Sequence, residues 1–202
     1  RRTEAAGRRT RRLKRGVLHG RSGGPVRAFL FGASRTMPPI GPAWLTEGVQ
    51  VEVTMTEEGL LSSRYIATVL EIKSDKAHIE FRDFNEEAED GSEGEKLLCE
   101  WEPFDKLRPL PPPPPSGFFS KLKLGSPLEM DFEDGWWEVL LVGAAERTAE
   151  LPKYIVEARR YKVRHIVPAA SLRPAWKWVA AACSWEMHTE APPPPDVPKK
   201  KK

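Results

Sequence analysis

The chain has 202 residues with 32 Lys plus Arg, 29 Asp plus Glu, two cysteines and no run near the roughly 20 apolar residues that span a bilayer. A membrane partner is therefore not expected, and neither a disulfide framework nor a zinc site, because Cys99 and Cys183 lie far apart with no CxxC or Cys/His spacing. The charge balance hides a division: residues 1–36 hold 11 basic and 1 acidic residue and the last four are all Lys, leaving 17 basic against 28 acidic over 37–198, a net of −11. An acidic body repels a phosphate backbone and attracts a basic partner.

In chain order, the Arg-rich leader 1–36 has no sustained apolar periodicity and is read as disordered or foreign to the fold. Segments 49–53, 64–73, 76–84 and 96–102, with a short one near Leu107, read as strands. Ala77, Ile79 and Phe81 alternate with His78, Glu80 and Arg82, the mark of a strand with one buried face, and Ser74-Asp75 makes a tight turn before it. Between Asn85 and Glu95 lies an acidic loop insertion that includes Glu86, Glu87, Glu89 and Asp90. The run Pro109-Leu-Pro-Pro-Pro-Pro-Pro115 predicts polyproline II, a semi-rigid spacer that sets a distance, with a lesser reading as an SH3 or WW ligand. Strands are expected again over 127–132, 136–142, 153–159 and 161–167, with a hairpin at Glu133-Asp134-Gly135. The cysteines are expected to be structural and buried, and residues 186–202 to form a disordered Pro/Lys tail.

These elements form a repeat. Pro103 to Pro109 and Pro168 to Pro174 share Pro-x-x-x-Leu-Arg-Pro; Gly48-Val-Gln-Val-Glu-Val matches Gly125-Ser-Pro-Leu-Glu-Met; Ile79-Glu-Phe81 matches Val156-Glu-Ala158. About 60 residues of short strands bury too little as a flat sheet, so each copy is expected to close into a small, strongly bent barrel. The fold class is all-β: two such barrels in tandem, 45–110 and 120–180, joined by a linker at 111–119, with disordered ends.

Gly48-Val-Gln-Val-Glu-Val, Tyr65-Ile-Ala-Thr-Val, Leu107-Arg-Pro before prolines, Asp134-Gly-Trp-Trp137, and Leu172-Arg-Pro before Trp176 and Trp178 resemble the plant Agenet domain. That domain is a Tudor-like member of the Royal superfamily, usually found in tandem, and the resemblance covers about residues 47–178. It implies an aromatic cage that reads methylated lysine on a histone tail: Tyr65 on the second strand, Phe81 and Phe84 around the end of the third, and Asn85 beside them. Leu60, Leu61 and Arg64 occupy the first-loop position where an aromatic is usual. In the second copy Trp136 and Trp137 fall near the second-strand position, Tyr161 matches Phe84, and Ala158 replaces Phe81. Asp83 and the loop acids would attract the flanking cations of such a tail.

From the residues alone, Phe81 belongs to a core as readily as to a cage, and Tyr65 reads equally as a half-buried residue with its hydroxyl satisfied. Adjacent Trp136 and Trp137 must face opposite ways, one inward or against the other unit and one outward. His19, His78, His165 and His188 are scattered, with no nucleophile, phosphate-binding glycine loop or ligand cluster beside them, so no enzyme activity, metal or cofactor is expected. The leading expectation is a monomeric nuclear chromatin reader of a basic peptide. The alternatives are an adaptor whose basic ends bind RNA, and a scaffold recruiting through its prolines.

Overall fold

The computed structural model describes residues 41–88, 93–146 and 152–189. The basic leader, Glu89 and Asp90 of the acidic loop, and the chain beyond Thr189 lie outside the described residues.

The first unit comprises β1 (Gln50–Thr54), β2 (Ser63–Ile72), β3 (Lys76–Glu87), β4 (Glu93–Pro103) and β5 (Leu107–Pro109). The second comprises β6 (Pro127–Phe132), β7 (Gly135–Glu146), β8 (Lys153–Ala158), β9 (Val163–Pro168) and β10 (Leu172–Pro174). Both are antiparallel with the same order, β5-β1-β2-β3-β4 and β10-β6-β7-β8-β9. Each is bent by a register shift at the same place, Val69/Glu71 against β3 and Leu141/Gly143 against β8. Such bulges add the local twist that lets a short sheet curl around its own core.

The β3 alternation holds: Ala77, Ile79 and Phe81 are wholly buried and join Val51, Val53, Ala67, Val69 and Leu107 in the first core. Leu128, Met130, Val139, Leu141, Val156, Ala158 and Leu172 form the second. Phe118 and Phe119, from the stretch expected to be linker, pack against this second core.

The units are not held apart by the proline run. β2 pairs directly with β7, Ser63 opposite Trp137 and Arg64 opposite Trp136, which makes one ten-stranded sheet. Pro111–Pro114 instead lie along the second unit, where with Phe119, Trp136, Ala169, Ala170, Leu172 and Arg173 they line a groove of about 390 Å³.

Two further expectations need correction. Strand β11 (Trp176–Val179) pairs with β12 (Ser184–Met187), so Glu186 and Met187 belong to a hairpin and not to the tail. Cys183 is exposed, at φ +46° in the turn of that hairpin, because the whole turn from Ala180 to Cys183 lies at the surface; Cys99 is half-buried.

Candidate functional site

Strand register shows how the copies meet. Val53 faces Tyr65 in β1–β2, and its counterpart Met130 faces Trp137 in β6–β7, so Tyr65 and Trp137 are equivalent residues, as are their neighbours Arg64 and Trp136. Because Arg64 and Trp136 are also each other's partners across β2–β7, a pseudo-two-fold axis passes between them. Tyr65 and Trp137 both pack in the first core, beside this axis. Tyr65 lies so close to the backbone of Gly135 that an added Cβ there would sit 2.7 Å from the ring. Trp137 is buried in the first core and donates its indole N–H to the Phe132 carbonyl at 2.8 Å.

Beside the axis the repeat brings together its charged residues. Glu52 and Glu129 are counterparts, as are Arg108 and Arg173, and all four are buried. Arg108 donates to Glu52 at 2.9 Å and to Glu129 at 2.9 and 3.1 Å, and Arg173 donates to Glu129 at 2.7 Å. Arg173 Nη2 also lies 2.7 Å from Glu52 Oε1, an ion pair without hydrogen-bond alignment. Arg64 forks onto Glu129 at 3.0 Å and Glu138 at 2.7 Å. Burial by itself pushes the Glu129 carboxyl up, but the guanidiniums of Arg108, Arg64 and Arg173 outweigh it and hold the group below its usual range. Burial pulls the Arg108 guanidinium down, only partly offset by its carboxylate partners. This cluster locks one barrel to the other, pairing three guanidiniums with three carboxylates.

The aromatic positions also obey the symmetry. Tyr65 contacts Phe84 with centroids 4.5 Å apart, and the equivalent Trp137 contacts the equivalent Tyr161 at 5.5 Å. Phe81 meets Phe84 edge-on at 5.2 Å. The structure thus brings Tyr65, Phe81 and Phe84 together, and sets Trp137 and Tyr161 against the same core. Their exposures differ. Tyr65, Phe81 and Trp137 are buried, whereas Phe84 and Tyr161 are half-buried at the rim. Tyr161 donates its hydroxyl to the Leu61 carbonyl of the other barrel at 2.9 Å. Phe84 has no such group. Trp136 turns to the opposite side, where Arg173 stacks on its ring at 3.8 Å.

Around Phe84 the charges come from both units. Asp83 accepts from Arg82 at 2.9 Å, and Asn85 is exposed beside it. That hydrogen bond, with the fields of Asp83, Asp134 and Asp131, raises the Arg82 guanidinium, which places the acids of the β6–β7 turn within electrostatic reach of the end of β3. Residues 45–110 carry 7 basic and 17 acidic residues. Leu60 is buried and Arg64 belongs to the charged cluster, so neither forms a wall at this rim.

Sequence reasoning missed the cluster and the hairpin over it. Arg108 donates to the Trp176 carbonyl at 2.5 Å and lies under the Trp185 ring at 5.1 Å, while Trp178 packs on Trp185 and Trp44 at 5.2 and 5.8 Å. The signal for the cluster was present: Glu and Arg recur at matched positions of both copies, flanked by apolar residues.

Residues 48–112 match the family model of the Agenet domain. Among solved structures the chain is similar to AGD34 of AGDP1 from Arabidopsis thaliana, with 25% identity and a TM-score of 0.59 over 71% of this chain and 89% of that one. It is also similar to tandem Agenet domain 3-4 of ADCP1, with 23% identity and a TM-score of 0.55 over 71% and 87%. No curated protein matches. The barrel formed by the matched residues is an Agenet domain, and the two-barrel fold as a whole is similar to the folds of these tandem Agenet structures. The Agenet domain is a binding module.

Proposed function

We propose that this protein is a non-enzymatic chromatin reader of the nucleus that binds a basic histone-tail segment bearing methyl-lysine at the Phe84 rim. The observation that carries the reading is Phe84 itself: a half-buried ring braced by Tyr65 and Phe81, on the barrel that holds most of the acid. Methylation keeps the ammonium charge, removes N–H donors and adds apolar surface, so a π face attracts the cation where water is excluded. One accessible wall contributes about 0.5–2 kcal/mol, equivalent to about 2- to 30-fold in affinity. Asp131 and Asp134 with Glu86 and Glu87 would steer neighbouring Lys and Arg of the tail and set its register.

Calorimetric titration with histone-tail peptides, unmodified and mono-, di- or trimethylated, tests the reading. Affinity is expected to rise with methylation and to fall with salt. Binding that ignores methylation, or no binding, would move the adaptor or scaffold reading ahead.

A further inference from the structure

The net charge of the folded part averages over two unlike barrels. Residues 45–110 carry a net of −10, while residues 120–180 hold 10 basic and 8 acidic residues, a net of +2. Much of that cation sits in one place, the turn from β8 to β9 and the start of β9, which together read Arg159-Arg-Tyr-Lys-Val-Arg164. Arg160 and Lys162 are exposed and meet no carboxylate among the described residues. Arg164 is 69% exposed, with Glu157 at 2.8 Å. The turn leads into an edge strand, since among the described residues β9 pairs only with β8.

It is also fixed. Tyr161 N–H donates to the Ala158 carbonyl at 3.0 Å and Lys162 N–H to the Arg159 carbonyl at 3.3 Å, while the Tyr161 hydroxyl ties the turn to the first barrel. Lys162 stands at φ +55°, a left-handed position that favours Gly or Asn and costs a lysine about 1–2 kcal/mol. A cation thus stands where the backbone favours another residue.

We propose that this turn contacts the phosphate backbone of duplex DNA, so that the pair is bipolar: an acidic barrel for a basic tail and a cationic knuckle for the polyanion beside it. The geometry favours a duplex over single strands, which need open aromatic faces for bases to stack on. The turn's own ring, Tyr161, is half-buried against Trp137; Phe132 is exposed, with His165 at 4.9 Å, but stands among acidic residues. Asp131, Glu133 and Asp134 flank Phe132 and bound the footprint on that side.

The test is fluorescence anisotropy of a short DNA duplex with the full chain across a salt series, comparing R160E/K162E with the charge-matched K121E/K123E, whose lysines are exposed elsewhere on the same barrel. The turn variant is expected to bind at least tenfold more weakly and to reduce the magnitude of the log K against log salt slope by about 2, for two lost phosphate contacts. The control should change far less, and thermal unfolding should be unaltered in both. No duplex binding by the wild type, equal losses in the two variants, or tighter binding of a single-stranded RNA of the same length would each overturn the proposal.

Discussion

The two barrels share strand order, bulge position and the Glu/Arg pair, yet they spend one equivalent aromatic differently. Phe84 and Tyr161 occupy the same place, each against the second-strand aromatic of its own copy. In the second barrel a hydroxyl fixes the ring to the other unit; in the first the ring remains at the rim beside acidic residues. A repeat that folds by one plan has thus divided its labour, one copy supplying the candidate reading surface and the other the clamp that holds it. The shared residues are those that join the copies, and the differing ones are those a partner would meet.

The strongest way to break the symmetry is at the buried carboxylates. Glu129→Ala strands three guanidiniums and is expected to cost about 3–5 kcal/mol in urea unfolding. Glu52→Ala should cost less, because Glu129 still faces Arg108 and Arg173; a loss under about 1 kcal/mol for Glu129→Ala would contradict the account. The Glu129 carboxyl is held below its unfolded range, so its contribution is full above that range and is lost as pH falls through the depressed folded value. Acid unfolding curves should therefore steepen below about pH 4.3, the ordinary Glu value, and Glu129→Gln should flatten them.

Next comes the close approach at the axis. Gly135→Ala puts a methyl into the Tyr65 ring and should cost about 1–3 kcal/mol by calorimetric melting. A variant as stable as the wild type would mean that the barrels separate easily. The smallest effect is expected from Tyr161→Phe, which removes one hydrogen bond to Leu61 and should cost about 0.5–1.5 kcal/mol, read from the same melting curves.

Much of the fold was legible because local pattern dictated it. Alternation in β3 placed Ala77, Ile79 and Phe81 inside, and the turn Glu133-Asp134, with both residues at positive φ, closed β6 onto β7. The pairing of β2 with β7 was not legible, since Ser63 and Arg64 have no local feature that selects a partner about seventy residues away. Nor was the division between Phe84 and Tyr161: similarity of position implied similarity of role, and only the Leu61 carbonyl distinguishes them. The β11–β12 hairpin was hidden by Ala180-Ala-Ala182, although Trp176 and Trp178 already carried the period of a strand.

The most direct test is a peptide titration that sets Phe84→Ala beside Tyr161→Phe, using one trimethylated histone-tail peptide and its unmodified form. The account predicts that Phe84→Ala loses the methyl-dependent part of the affinity, about 2- to 30-fold, while Tyr161→Phe binds as the wild type does. If Phe84→Ala still discriminates the methylated peptide as well as the wild type, the first barrel is not the reading surface.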